Sequence, residues 1–128
     1  MEAAAVSSKI RVLIADDHRL FAETLEALLT TEDRVDVLDW ARDGKEAVRL
    51  ARKLQPDVIL MDISMPVMDG FEATRRIRKD DPAACVLMLT GSNSRTDIDE
   101  ARKAGAAGYV TKDRIAAELV DAILGISD

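Results

Sequence analysis

Cysteine occurs once in this chain, as Cys85, so no internal disulfide can form. Its place in the apolar run 83–89 suits a small packed hydrophobe, and a solitary thiol suits a reducing cytosol. Histidine also occurs once. His18 has no second His and no suitably spaced Cys to complete an imidazole or thiolate metal set, so it reads as a first-turn helix residue; Trp40 and the methionines read as packing residues. Basic charge is in short supply: 18 Lys and Arg stand against 24 Asp and Glu, a net charge of −6. Nucleic acid and anionic membrane both select basic surfaces, so direct binding to either is not expected. No apolar run approaches the roughly 20 residues of a membrane-spanning helix, and residues 1–8 lack the basic segment and apolar stretch of a secretory leader. The expected location is therefore cytoplasmic. Repeats, low-complexity stretches and internal linkers are missing as well, and 128 residues are too few for two ordinary domains. Residues 1–8 read as a flexible tail and residues 9–128 as one domain.

What the chain does contain is an alternation. Short apolar runs rich in branched residues are each followed by a longer amphipathic segment, five times over, which is the pattern of an α/β domain. Strands are expected over 9–16, 35–41, 57–62, 84–90 and 108–111, and helices over 19–30, 44–53, 70–79, 96–104 and 114–124. The helices rest on spacing: Phe21, Leu25 and Leu28 form one stripe, Ala47, Leu50, Ala51 and Leu54 a second, and Ile115, Leu119, Ala122 and Ile126 a third. Asp43 before Gly44 and Asp69 before Gly70 are candidate caps, and Pro56 and Pro82 fall where helices have ended. Parallel strands joined through right-handed helical connections give a sheet covered on both faces.

On that scaffold the polar residues gather at one edge. The first strand ends in Asp16 and Asp17, the third in Asp62, the fourth in Thr90, and the fifth runs into Lys112. All lie at carboxyl ends, where open parallel sheets bind ligands. The second strand brings no such polar ending, as expected of an edge strand. Three carboxylates held together repel and need a compensating cation; oxygen ligands favour a hard ion, and Mg²⁺ is the expected one. A carboxylate is also a nucleophile toward phosphorus, with a metal, an ammonium and a hydroxyl to stabilise the transferred oxygens. Asp62, Lys112 and Thr90 can supply those roles.

The stretch 57–70, reading DVILMDISMPVMDG, together with Asp16-Asp17, Thr90 and the late Tyr109-Val-Thr-Lys112, resembles the receiver domain of bacterial two-component response regulators. Asp-Asp-His at 16–18 and Lys112 followed by Asp113 look most like the NarL/FixJ subfamily. The resemblance implies a flavodoxin-like five-stranded parallel sheet of order 2-1-3-4-5 with five helices on its two faces. It implies that Asp62 is the phosphoacceptor, Asp17 a direct metal ligand, and Asp16 a carboxylate acting largely through metal-bound water. Ser64 would give its main-chain carbonyl to the metal, Thr90 and Lys112 would contact the phosphoryl group, and Tyr109 would change rotamer with activation. A sensor histidine kinase as donor, a phosphorylation-dependent homodimer through the fourth helix, fifth strand and fifth helix, and a C-terminal DNA-binding output domain beyond this chain are implied as partners, with transcription regulation as the outcome. Gly91 stands where many receivers have alanine, and Asp113 where many have a cis proline, so a trans bond is expected after Lys112. Ser64 and Ser92 fall where receivers tune the lifetime of the phosphoryl bond.

Taken singly, these residues have plainer readings: Asp16 and Asp17 as acids at a helix start, Asp62 as a solvated strand end, Thr90 as a turn former, Lys112 as a surface lysine, Tyr109 as a half-buried aromatic. Their joint order favours a site. An aspartate-nucleophile phosphohydrolase is the enzymatic alternative, but Ser64 stands where its second aspartate belongs. A phosphorylation-independent adaptor of the same fold is another. A flavin-binding protein is disfavoured because no Ser/Thr/Gly-rich loop follows the first strand.

Overall fold

Residues 9–91 and 94–127 are described by the structure, a computed structural model; the tail read at residues 1–8 and Ser92 lie outside them. Strands β1 (Ile10–Ala15), β2 (Val35–Ala41), β3 (Val58–Asp62), β4 (Val86–Thr90) and β5 (Gly108–Thr111) alternate with helices α1 (Arg19–Thr30), α2 (Gly44–Leu54), α3 (Gly70–Asp80), α4 (Arg95–Ala104) and α5 (Ile115–Ser127). One 3₁₀ turn, Lys112–Arg114, separates β5 from α5. The strands are parallel in the order β2-β1-β3-β4-β5, the flavodoxin-like arrangement that the family resemblance implies.

The central strands β3 and β4 are buried at every residue because helices cover both faces. Val12, Ile14, Val58, Leu60, Leu87 and Leu89 face α1 and α5, while the intervening Leu13, Ala15, Ile59, Met61 and Met88 face α2, α3 and α4. Near-continuous apolar strands are the signature of such two-sided burial.

Local chemistry starts and stops the helices. The expected caps form: Asp43 accepts from the Glu46 N–H at 2.8 Å and Asp69 from the Glu72 N–H at 2.9 Å, satisfying donors that the first turn leaves free. Ser94 caps α4 in the same way. At the end of α2 the carbonyls of Leu54 and Gln55 accept from the Arg11 guanidinium, each at 2.8 Å.

Some sequence expectations shift. In α1 the fully buried stripe is Ala22, Leu25 and Leu29; Phe21 and Leu28 only flank it, and Phe21 is turned so that its ring meets the Lys112 ammonium at 4.5 Å. Strand β4 begins at Val86, so Ala84 and Cys85 precede it. Cys85 is half-buried rather than sealed in the core.

Two glycines set how closely helix starts approach the carboxyl edge. A Cβ at Gly44 would lie 2.0 Å from the Met68 carbonyl oxygen, and one at Gly70 would lie 2.1 Å from that of Asp62. The start of α3 is therefore pressed against the end of β3, with the Gly70 N–H donating to the Ile63 carbonyl at 2.8 Å. Gly70→Ala is expected to lower the urea-unfolding stability by about 1–3 kcal/mol, as overpacking does, because backbone and not a pliant side chain must yield. An unchanged midpoint would show that the two elements can part freely.

Candidate functional site

Strand direction alone brings the ends of β1, β3 and β4 and the residue after β5 to one edge. Asp16 and Asp17 follow β1, Asp62 closes β3, Thr90 closes β4, and Lys112 opens the turn after β5. Asp16, Asp62 and Thr90 are buried. Lys112 reaches inward: its Nζ lies 3.0 Å from Asp62 Oδ1 and 3.8 Å from Asp16 Oδ2. The sequence-expected quartet of Asp16, Asp17, Asp62 and Lys112 is thus assembled in space. Thr90 pairs in register with Thr111, immediately before Lys112. Tyr109, two residues earlier on β5, is 43% exposed. Ser64 lies two residues beyond Asp62 and is exposed. No cis peptide occurs among the described residues, so the bond after Lys112 is trans as expected.

Charge is unbalanced here. Asp16, Asp17, His18 and Asp62 each offer a ligand atom, all within 4.8 Å of one another. Among the described residues the Lys112 ammonium contacts two of the three carboxylates, those of Asp16 and Asp62. Two carboxylate oxygens, Asp16 Oδ2 and Asp62 Oδ2, are buried without a hydrogen-bond partner, an arrangement that is expensive unless a cation or donor joins them. Burial first, and the Asp16 charge second, push the Asp62 carboxyl above its ordinary range, against the opposing pull of Lys112 and the Ile63 N–H. An oxygen-rich acidic cluster with unsatisfied buried lone pairs fits a hard divalent cation.

His18 is closer to this cluster than its sequence reading suggested. Its N–H donates to Asp16 Oδ1 at 2.8 Å, and its ring Nδ1 lies 3.3 Å from Asp16 Oδ1 and 3.2 Å from Asp17 Oδ1. With the side chain 67% exposed, it hydrogen-bonds Asp16 and lies beside the Asp17 carboxylate.

The second strand, which brings no polar ending to the edge, still takes part through Trp40 and Ala41. The Trp40 indole N–H donates to the Asp16 carbonyl at 2.6 Å, and the Asp16 N–H donates to the Ala41 carbonyl at 3.0 Å. Trp40 is therefore more than a packing residue. Its signal was absent from the sequence because the contact is made to main chain, which carries no residue identity.

Comparison with known proteins bears on the family and the fold. A family profile described as the response regulator receiver domain matches residues 12–124. The chain is 41% identical over 117 residues to "Transcriptional regulatory protein LnrK" of Bacillus subtilis (strain 168), covering 91% of this chain and 53% of that protein. It thus spans about half the length of the curated relatives it matches. Among solved structures, a two-component response regulator of the LuxR family from Aurantimonas sp. SI85-9A1 superposes with a TM-score of 0.89 at 40% identity, covering 94% of this chain and 86% of the other. The signal receiver domain of the putative response regulator NarL from Mycobacterium tuberculosis gives a TM-score of 0.89 at 34% identity, covering 94% and 97%. No described helix is long and apolar enough to cross a membrane.

Proposed function

Since the chain belongs to the response regulator receiver domain family, among relatives of the LuxR/NarL type, we propose that it is a phospho-accepting switch in which Asp62 is the acceptor. The observation that carries this reading is the placement of Asp62 between Lys112 and Asp16, with one oxygen held at 3.0 Å by the ammonium and the other unpartnered.

In the proposed reaction an Asp62 carboxylate oxygen attacks phosphorus and a new O–P bond forms. The bond from phosphorus to the donor's leaving atom breaks, and its electron pair departs with the leaving group. No proton has to be removed, because the nucleophile is an ionised carboxylate. Lys112 neutralises the incoming phosphoryl oxygens, and the Thr90 hydroxyl donates to one of them. Asp17, Asp62, the Ser64 carbonyl and, through water, Asp16 would hold Mg²⁺, which when bound supplies positive charge against the phosphoryl group. The chain then catalyses only its own phosphorylation and dephosphorylation. A histidine kinase or a small phosphodonor supplies the group, and a DNA-binding output domain in a longer protein would read the result. Ser64 replaces the second aspartate that a phosphohydrolase needs as general acid, which disfavours steady turnover. Intact mass after incubation with acetyl phosphate and Mg²⁺ should rise by one phosphoryl group; no gain in mass overturns the proposal in favour of a phosphorylation-independent adaptor.

The readout is proposed to run through Thr90 and Tyr109 to the face made by α4, β5 and α5. Moving an equilibrium from 1:99 to 99:1 requires about 5.5 kcal/mol of differential binding, more than one charge-assisted contact gives, so the response should be graded. Thr90→Ala is expected to leave Asp62 still able to accept the phosphoryl group while sedimentation no longer responds to phosphorylation. A mutant that self-associates on phosphorylation as the unaltered chain does would break the proposed coupling. The isolated chain, at net −6, is also expected to give no sequence-specific shift of DNA at physiological salt, since backbone neutralisation supplies much of such affinity; a specific shift would contradict this.

A further inference from the structure

We propose that Trp40 is a positioning residue for the cation site: its indole N–H fixes the peptide plane between Asp16 and Asp17 and so sets where the Asp17 carboxylate points. The inference rests on the proposed function, because it takes a divalent cation to bind among Asp16, Asp17 and Asp62.

Both main-chain polar groups of Asp16 are held by consecutive residues of β2. Its N–H donates to Ala41 at 3.0 Å, and its carbonyl accepts from Trp40 Nε1 at 2.6 Å. A peptide unit is planar, so a clamp on the Asp16 carbonyl oxygen also fixes the direction in which the Asp17 Cα leaves. Asp17 has little else to hold it. Its side chain is 31% exposed, and its only ion-pair contact among the described residues is His18 Nδ1 at 3.2 Å. Trp40 is itself restrained from outside by the Arg42 guanidinium, 4.9 Å from its ring centroid. The Arg42 N–H in turn donates to Glu46 Oε1 at 2.9 Å.

A register shift puts the indole there. β1 and β2 pair as Val12 with Val37 and then Leu13 with Asp39, so Leu38 is an extra residue. Val35 and Val37 pack on the α1 side of the sheet, and strict alternation would send Trp40 to the opposite side. The added residue inverts the parity, Trp40 joins Val35 and Val37 on the α1 side, and its N–H meets the end of β1. Bulges next to functional sites commonly re-aim a side chain in this way.

An indole nitrogen only donates, so the bond can be removed without changing ring shape. Replacing Trp40 by benzothienylalanine, with sulfur in place of the N–H, in the full chain should weaken Mg²⁺ binding by about three- to tenfold in calorimetry, the scale of one hydrogen bond. Replacement by 7-azatryptophan, which keeps the N–H, should leave the affinity unchanged. Trp40→Phe should reproduce the loss. Linkage demands reciprocity: Mg²⁺ saturation should slow hydrogen exchange of the single indole N–H by a similar factor. Equal affinity in the benzothienyl protein, or equal loss with both analogues, overturns the role of the Trp40 N–H while leaving the cation site in place. Absence of Mg²⁺ binding by the unaltered chain overturns both readings together.

Discussion

Asp62→Asn is expected to abolish acyl-phosphate formation outright: incubated with acetyl phosphate and Mg²⁺, the variant keeps its mass while the unaltered chain gains one phosphoryl group that hydroxylamine removes. Three carboxylates compete for the role, and the geometry separates them. Asp16 is buried and its Oδ1 already accepts from the His18 N–H. Asp17 is more open but lies 3.2 Å from the His18 ring and makes no contact with Lys112. Asp62 meets Lys112 at hydrogen-bonding distance, 3.0 Å on one oxygen against 3.8 Å for Asp16, while its other oxygen has no hydrogen-bond partner. An amide at position 62 keeps the shape and removes the nucleophilic charge. Because the amide is not a nucleophile toward phosphorus, the expected loss is complete rather than partial. Label that persists in Asp62→Asn, or that survives hydroxylamine, would place the chemistry on another side chain.

The second large effect is on stability. Without a cation, the unfolding temperature at neutral pH should rise in Asp62→Asn, and Mg²⁺ should raise that of the unaltered chain. The Asp62 carboxyl is raised above its ordinary 3.8 by burial and by the Asp16 charge, against Lys112. The folded state therefore holds the Asp62 proton more tightly than the unfolded state does. By linkage, its stabilising contribution is fully present below about pH 3.8 and is lost as pH rises through the elevated folded value. At neutral pH the ionised group opposes folding, so a neutral amide relieves the penalty and the advantage of Asp62→Asn should vanish in acid. A bound divalent cation relieves it differently, by mass action. At a hundredfold excess over Kd the gain is about 2.7 kcal/mol, or about 10 °C for a domain of this size. Asp17→Asn should shrink the Mg²⁺-induced shift more than Ser64→Ala does, since Asp17 offers a charge and Ser64 only its backbone. A lower unfolding temperature for Asp62→Asn at neutral pH, or no response of the unaltered chain to Mg²⁺, would show that the carboxylate repulsion is already balanced.

Much of this site was legible in the chain because its parts sit at the ends of strongly patterned segments. Asp16, Asp62 and Thr90 each follow an unbroken apolar run, and parallel strands with helical connections must place such ends on one edge. The caps at Asp43 and Asp69 were equally legible, being contacts across three residues of sequence. Local pattern carried less information on how an element is rolled or where a strand yields. Phe21 was read as part of a buried stripe, yet it turns toward Lys112, more than ninety positions further along the chain. The 3₁₀ turn that delivers Lys112 and the late start of β4 at Val86 are likewise matters of packing.

By itself, then, the sequence determined the alternation of elements and the edge on which the carboxylates, hydroxyl and ammonium gather, because those follow from periodicity and from the fixed handedness of parallel connections; the family rests on the motif residues at that edge and on the profile they match. Only the tertiary structure decided that β2 takes part. The extra residue at Leu38 is defined by pairing with β1, and it alone turns Trp40 toward the carbonyl of Asp16. Strand register is a property of two segments paired across space, and a one-residue slip moves every later side chain to the other face.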